Sequence, residues 1–238
     1  MNHAATPASM NLASLKVACG NCSLRELCLP MGLDKNDLDR LDKIINRRQR
    51  VQSGQHLYRA RDAFHYLYSI RRGFFKTYEL NNDGIEHVNG FHMAGEMIGL
   101  DAISDEAHAC NAVALEDSEV CEIPFLKLEQ LFRDIPALQH QFHRVMSREI
   151  GADHGLMMLL GTMRAEEKIA TFLTNLAERL AARGLSPDSM HLSMSREDIG
   201  NYLGLKLETV SRMFSKFQDE GLIEVERRNL RLYGYGVK

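Results

Sequence analysis

The chain has 238 residues, 45% of them hydrophobic and only five of them proline, which is enough apolar material to bury a core in two domains plus an appended segment. Its net charge of -3 excludes a uniformly basic nucleic-acid coat, and residues 163–238 carry 12 Lys/Arg against 11 Asp/Glu, so any DNA binding rests on placed charges. The opening residues MNHAATPASMNLASLK lack the basic start and apolar run of a signal peptide, and no apolar stretch reaches 18 residues, which predicts a soluble, cytoplasmic protein without membrane contact.

Cys19, Cys22 and Cys28 crowd into ten residues, while Cys110 and Cys121 lie far away. In a reducing compartment such crowding reads as metal binding before it reads as a disulfide framework. Thiolates are the ligands iron-sulfur clusters need, but C-x2-C-x5-C is not diagnostic: zinc accepts the same sulfurs and a redox disulfide uses two. Cys110 in HACNAV and Cys121 in an apolar strand both stand open as a distant fourth ligand. The histidines, His87, His92 and His108 among them, show no paired ligand spacing and read as surface or core residues.

DKNDLDRLDKIINRR places Leu38, Leu41, Ile44 and Ile45 at helical spacing. From about Gly54 to Phe125, short apolar runs (HLY, YLYSI, FFKTY, HVNGFHM, EVCEIPF) alternate with the turn signals SG, RRG and NNDG, predicting an antiparallel roll or barrel. Pro136 suits a first helical turn, and a long helix runs on to about Leu160. It carries two stripes: Phe142, Val145, Glu149, Ala152, Leu156 and Leu159, and beside them Met146, Ile150, Asp153, Met157 and Leu160. A helix with two seams has two neighbours, its own roll and a symmetry mate, although a helix buried inside a monomer carries similar seams. In a two-fold dimer Asp153 faces its own copy between Ile150 and Met157, a repulsion that leaves association weakly poised.

A further helix, AEEKIATFLTNLAERLAARG, closes at Gly184, and two short helices and a hairpin follow. Ser195 and Asp198 form a capping box, and Gly204 ends that helix. The next opens near Leu207, with Leu207, Val210, Phe214 and Phe217 on one face and Glu208, Ser211, Arg212 and Ser215 on the other. Those polar side chains can address base edges. Lys206 at the turn and Arg227, Arg228 and Arg231 on the wing are phosphate-contact candidates. The expected fold is α+β: a cysteine-rich segment (1–30), an N-terminal antiparallel β-roll sensor domain (31–134), a long dimerisation helix (135–162) and a C-terminal winged helix-turn-helix domain (163–238).

EDIGNYLGLKLETVSRMFSKFQ resembles the recognition region of the cAMP receptor protein/FNR superfamily of transcription regulators, and the resemblance runs from Cys19 to about Tyr233. Within it, ACGNCSLRELCLP, VNGFHMAGEMIGLDAI, VCEIPF and the E-x-x-S-R helix are similar to the oxygen-sensing FNR (fumarate and nitrate reduction regulator) type. That resemblance implies a [4Fe-4S] cluster on Cys19, Cys22, Cys28 and Cys121 and a homodimer that binds double-stranded DNA in the clustered form. Oxygen then degrades the cluster and dissociates the dimer. It also implies base reading by Glu208, Ser211 and Arg212 on a TTGAT-N4-ATCAA-type palindrome. Asn81, Asn82, Asp83 and Gly84 become an RNA polymerase contact, with a plain hairpin turn as the alternative.

Two departures from the pattern stand out: Lys206 where a Thr or Ser cap is usual, and an uncharged Gly-Asn between Cys19 and Cys22. Cyclic-nucleotide binders of the superfamily place a Glu and an Arg-Ser/Thr pair after the glycine-rich turn; GEMIGLDAISDEAHACNAV holds no arginine, so no cyclic nucleotide is expected. The competing readings are a regulator of the same fold with a zinc or disulfide switch and, from another class, an iron-sulfur enzyme or electron carrier. No acid/base pair, activated nucleophile or phosphate-cradling loop supports an enzyme.

Overall fold

The computed structural model describes residues 19–45 and 47–234; residues 1–18, read above, lie outside them. Eight strands build the roll: β1 (Arg47–Val51), β2 (His56–Tyr58), β3 (Tyr66–Arg72), β4 (Phe74–Leu80), β5 (Glu86–Met93), β6 (Met97–Ile98), β7 (Asn111–Ala114) and β8 (Ser118–Pro124). They form two antiparallel sheets, in the orders β1-β8-β3-β6 and β2-β7-β4-β5. Between the sheets Ile70, Phe75, Ala112 and Val120 are fully enclosed, each large one contributing about 1.5–3 kcal/mol of burial. Strand β1, RRQRV, was not among the expected strands. It lies at a sheet edge against β8, where charged side chains are tolerated and no apolar alternation is needed.

Helix α1 (Lys35–Ile44) starts at Asp34, whose carboxylate accepts from the Asp37 amide at 2.9 Å. It ends before Ile45, so the two arginines expected to extend it belong to β1 instead. Helix α2 (Phe125–Asp134) has no counterpart among the expected elements, while α3 (Pro136–Thr162) begins with its proline in the first turn as expected. The C-terminal domain contains α4 (Ala165–Ala181), β9 (Ser189–His191), α5 (Arg196–Leu203), α6 (Leu207–Asp219), β10 (Ile223–Glu226) and β11 (Asn229–Leu232). Its wing is three-stranded, in the order β10-β11-β9, rather than a bare hairpin. No helix among the described residues is long and apolar enough to cross a membrane.

The two domains share one core. Phe74, Phe91 and Met93 of the roll pack in the same apolar cluster as Phe172, Leu173 and Ile199 of the C-terminal domain. Polar ties surround it: Lys76 Nζ bonds Asp198 Oδ1 at 2.7 Å, and Ser193 Oγ donates to Glu116 Oε2 at 2.9 Å.

Candidate cofactor pocket and nucleic-acid interface

Two short 3-10 turns, Cys19–Asn21 and Arg25–Leu27, fold the cysteine segment onto the roll. The Cys19 amide donates to Asp42 of α1 at 3.1 Å, and the Cys28 thiol lies 3.0 Å from the Ser69 hydroxyl on β3. Ser69 is register partner to Cys121 on β8, so the fourth thiol meets the other three from the sheet side. Cys19, Cys22, Cys28 and Cys121 thus line one pocket, with Leu24, Leu29, Leu41 and Ile45 among its apolar walls. Cys110 does not line it; its buried thiol faces Asp101 inside the roll at 3.5 Å. Of the two distant cysteines it is therefore Cys121, not Cys110, that lies beside Cys19, Cys22 and Cys28.

The pocket disfavours thiolates as it stands. Burial pushes the Cys28 thiol up to about 11 against the opposing Ser69 hydrogen bond. Burial and the Asp42 carboxylate push Cys19 up, and burial raises Cys121 although Arg48 and Arg71 oppose it. Cys19, Cys28 and Cys121 ionise in this low-dielectric pocket only if positive charge arrives with their deprotonation, which is the donor chemistry of a thiophilic metal group. Among the described residues no three Cys, His, Asp or Glu side chains form a ready single-ion site.

In the C-terminal domain the Ser195–Asp198 capping box is present: the Asp198 amide donates to Ser195 Oγ at 3.0 Å, and the Ser195 amide donates to Asp198 Oδ2 at 2.9 Å. Gly204, at φ +63°, ends α5. A Cβ on Gly200 would sit 2.6 Å from the Leu205 carbonyl oxygen, so only glycine lets the turn fold back this tightly. Helix α6 presents Glu208, Ser211, Arg212 and Ser215 on an exposed face, while Val210, Phe214 and Phe217 are buried. Leu207 departs from the expected buried stripe: it is 46% exposed, because the first residue of α6 precedes its contact with the core. Lys206 takes the N-cap position without a side-chain cap bond.

Arg227 and Arg231 are exposed on the wing, whereas Arg228 donates to the Ser193 carbonyl at 3.2 Å. Arg196 was missed in the sequence. Its guanidinium stacks 3.2 Å over the Phe214 ring, and its buried Nη1 has no hydrogen-bond partner among the described residues. No local pattern links a residue of α5 to one eighteen positions on.

On α3, Phe142, Val145 and Leu159 are buried against the chain's own core, while Ile150, Met157 and Leu160 are exposed, Asp153 lies exposed between them, and Met146 is half-buried. Asn81, Asn82, Asp83 and Gly84 form the exposed tip between β4 and β5. There Asn81 Oδ1 accepts from the Asp83 and Ile85 amides at 2.9 Å each, and Gly84 takes φ +77°.

Residues 48–134 match the family described as Cyclic nucleotide-binding domain, and residues 167–233 match the Crp-like helix-turn-helix domain. The chain is 46% identical over 214 residues to the transcriptional activator protein Anr of Pseudomonas protegens, covering 90% of this chain and 88% of that protein. It is 44% identical over 216 residues to the fumarate and nitrate reduction regulatory protein of Escherichia coli, covering 91% and 86%. The solved structure of FixK2 from Bradyrhizobium japonicum superposes with a TM-score of 0.73 at 30% identity, over 79% of this chain and 92% of that one. The chain therefore belongs to the cAMP receptor protein/FNR superfamily, and is a transcription regulator with a DNA-binding helix-turn-helix rather than an enzyme.

Proposed function

We propose that the chain is an oxygen-responsive, cytoplasmic transcription activator. Its homodimer binds a TTGAT-N4-ATCAA-type operator when Cys19, Cys22, Cys28 and Cys121 hold a [4Fe-4S] cluster. The observation that carries this reading is the convergence of those four thiols, from two distant stretches of sequence, on one apolar-walled pocket. When bound, such a group supplies an oxygen-labile tie between the N-terminal segment and β8.

The chain's own residues couple that tie to association. Leu29 and Leu33, just after Cys28, pack in one cluster with Leu138, Phe142 and Val145 of α3, and Gln141 Nε2 donates to the Cys28 carbonyl at 3.5 Å. The position of the cysteine segment is therefore felt by α3, whose Ile150, Met157 and Leu160 await burial against a second copy. Asp153, between them, opposes that burial by meeting its own copy, so a small shift of the helix decides the balance.

On DNA, Arg212 and Glu208 address the G·C pair of the half-site, Ser211 a neighbouring T, and Lys206 a phosphate. The tip at Asn81, Asn82, Asp83 and Gly84 faces RNA polymerase. A cyclic nucleotide is disfavoured by charge. The lining of the roll pocket where α3 crosses it brings the carboxylates of Asp101 and Asp153 but no Lys or Arg, and burial holds the His92 imidazole down at about 4 and therefore neutral.

Anaerobic isolation tests the proposal. Visible absorption that bleaches in air, with iron and acid-labile sulfide in equal amounts, supports it. Stoichiometric zinc, or a disulfide without metal, selects the alternative switch on the same fold.

A further inference from the structure

The C-terminal domain is fastened to the roll by a clasp centred on Glu96, in the turn between β5 and β6. Arg179 of α4 donates through Nε and Nη2 to the two Glu96 oxygens at 3.0 and 2.6 Å, and Arg183 Nη2 donates to Oε1 at 2.6 Å. The same guanidiniums hold the backbone beside it: Arg179 Nη2 donates to the Phe91 carbonyl at 2.6 Å and Arg183 Nε to the Ala94 carbonyl at 2.5 Å. The Arg183 side chain is only 7% exposed, so water competes poorly for these charge-assisted bonds.

The other side of this turn rests on the cysteine segment. Gly95, at φ +91°, approaches so closely that a Cβ there would lie 3.0 Å from Leu27 Cβ and 3.8 Å from Leu24 Cδ2. Leu24 and Leu27 stand between Cys22 and Cys28. One cleft is lined by Leu27, Cys28, Gly95, Glu96, Arg179 and Arg183 together.

We propose that the Met93–Met97 turn is a mechanical joint. Movement of the Cys22–Cys28 segment passes through Leu27 to the turn, and from Glu96 to Arg179 and Arg183, resetting the seat of the DNA-binding domain on the roll by a route separate from the α3 seam. Close-packed contacts of this kind shift between discrete arrangements rather than deform continuously, so the joint transmits a displacement instead of absorbing it. The inference rests on the proposed oxygen-responsive cysteine site.

The experiment measures hydrogen exchange along α4 and operator affinity for wild type, Glu96→Gln, Leu27→Ala and the double variant, each anaerobic and after air. Arg183→Gln repeats the test should Glu96→Gln fold poorly. Each single variant is expected to cut the anaerobic-to-aerobic affinity ratio by about tenfold, within the usual range of site-to-site coupling. The double variant should cut it no further, and dimer content and visible absorbance should stay at wild-type levels. Ratios unchanged in both single variants overturn the joint. Should wild type show no spectral response to air, the oxygen reading itself has failed, and exchange in one state decides the joint: faster exchange near Arg179 and Arg183 in Leu27→Ala supports it, and unchanged exchange overturns it.

Discussion

Replacing Ile150 by glutamate attacks the proposed dimer at its centre. Ile150 is 54% exposed, Met157 60% and Leu160 39% in the single chain, so each has apolar surface left to bury. With about 2–3 kcal/mol for complete burial of such a side chain, covering the exposed half of Ile150 contributes about 1 kcal/mol per copy, or about 2 per dimer. A glutamate on each side loses this and adds two desolvated carboxylates at a few kcal/mol, so dimerisation weakens by about 4 kcal/mol, roughly a thousandfold. Asp153→Ala works in the opposite direction. Were a dimer to bring the two Asp153 carboxylates within about 8 Å, at an effective dielectric of about 20 they would repel by about 2 kcal/mol, so their removal would tighten it by about thirtyfold. Sedimentation velocity in air and under anaerobic conditions reads both. The expectation is an Ile150→Glu protein that stays monomeric with its cluster intact, and an Asp153→Ala protein that dimerises in air. An Asp153→Ala monomer in air, at concentrations where the anaerobic wild type is dimeric, refutes the assignment of Asp153 as the restraint.

Serine at Cys19, Cys22, Cys28 or Cys121 should abolish iron and sulfide content while Cys110→Ser retains it, as metal analysis of the five variants will show. Arg212→Ala should cost about 1–3 kcal/mol and relax preference at the G·C pair, whereas Lys206→Ala should weaken all sequences alike and shallow the salt dependence; base-substituted operators titrated at two salt concentrations separate the two. Burial first, then the Glu96 charge, pushes the Glu149 carboxyl up to about 7, with Arg179 opposing and Asp153 reinforcing. A raised carboxyl destabilises the fold progressively as pH climbs from the ordinary carboxylate range through about 7, so Glu149→Gln should gain on wild type in urea midpoint between pH about 5 and about 8. Gly200→Ala should loosen the helix-turn-helix by about 1–3 kcal/mol, because its Cβ would meet the Leu205 carbonyl; equal thermal midpoints for the two proteins would contradict that.

What the sequence disclosed was whatever is written in local pattern. The capping box at Ser195, the glycine stop at Gly204 and the polar face of α6 follow from spacings of three and four, and the structure places them as spacing requires. The exposed apolar stripe of Ile150, Met157 and Leu160 on α3 was legible for the same reason, although Ala152 of the neighbouring stripe is exposed rather than buried. Strand β1 was not, since an edge strand of arginines shows no apolar alternation, and α2 was hidden because its ten residues follow a strand without a capping side chain. Among the cysteines, local pattern located three and left Cys110 and Cys121 level. The family resemblance favoured Cys121, and the register of β8 against β3, which sets Cys121 opposite Ser69, supplies the spatial reason that local pattern could not. The Glu96 clasp was invisible for a related reason, since its partners Arg179 and Arg183 lie more than eighty positions away, at separations that only the folded chain brings together.

Oxygen control of operator binding is tested most directly by titrating a fluorescent TTGAT-N4-ATCAA duplex with anaerobically isolated wild-type protein, and repeating the titration on the same sample after air has bleached its visible absorption. Tight, palindrome-specific binding by anisotropy is expected before exposure, lost in step with the absorbance. Operator affinity that is the same before and after bleaching would contradict it.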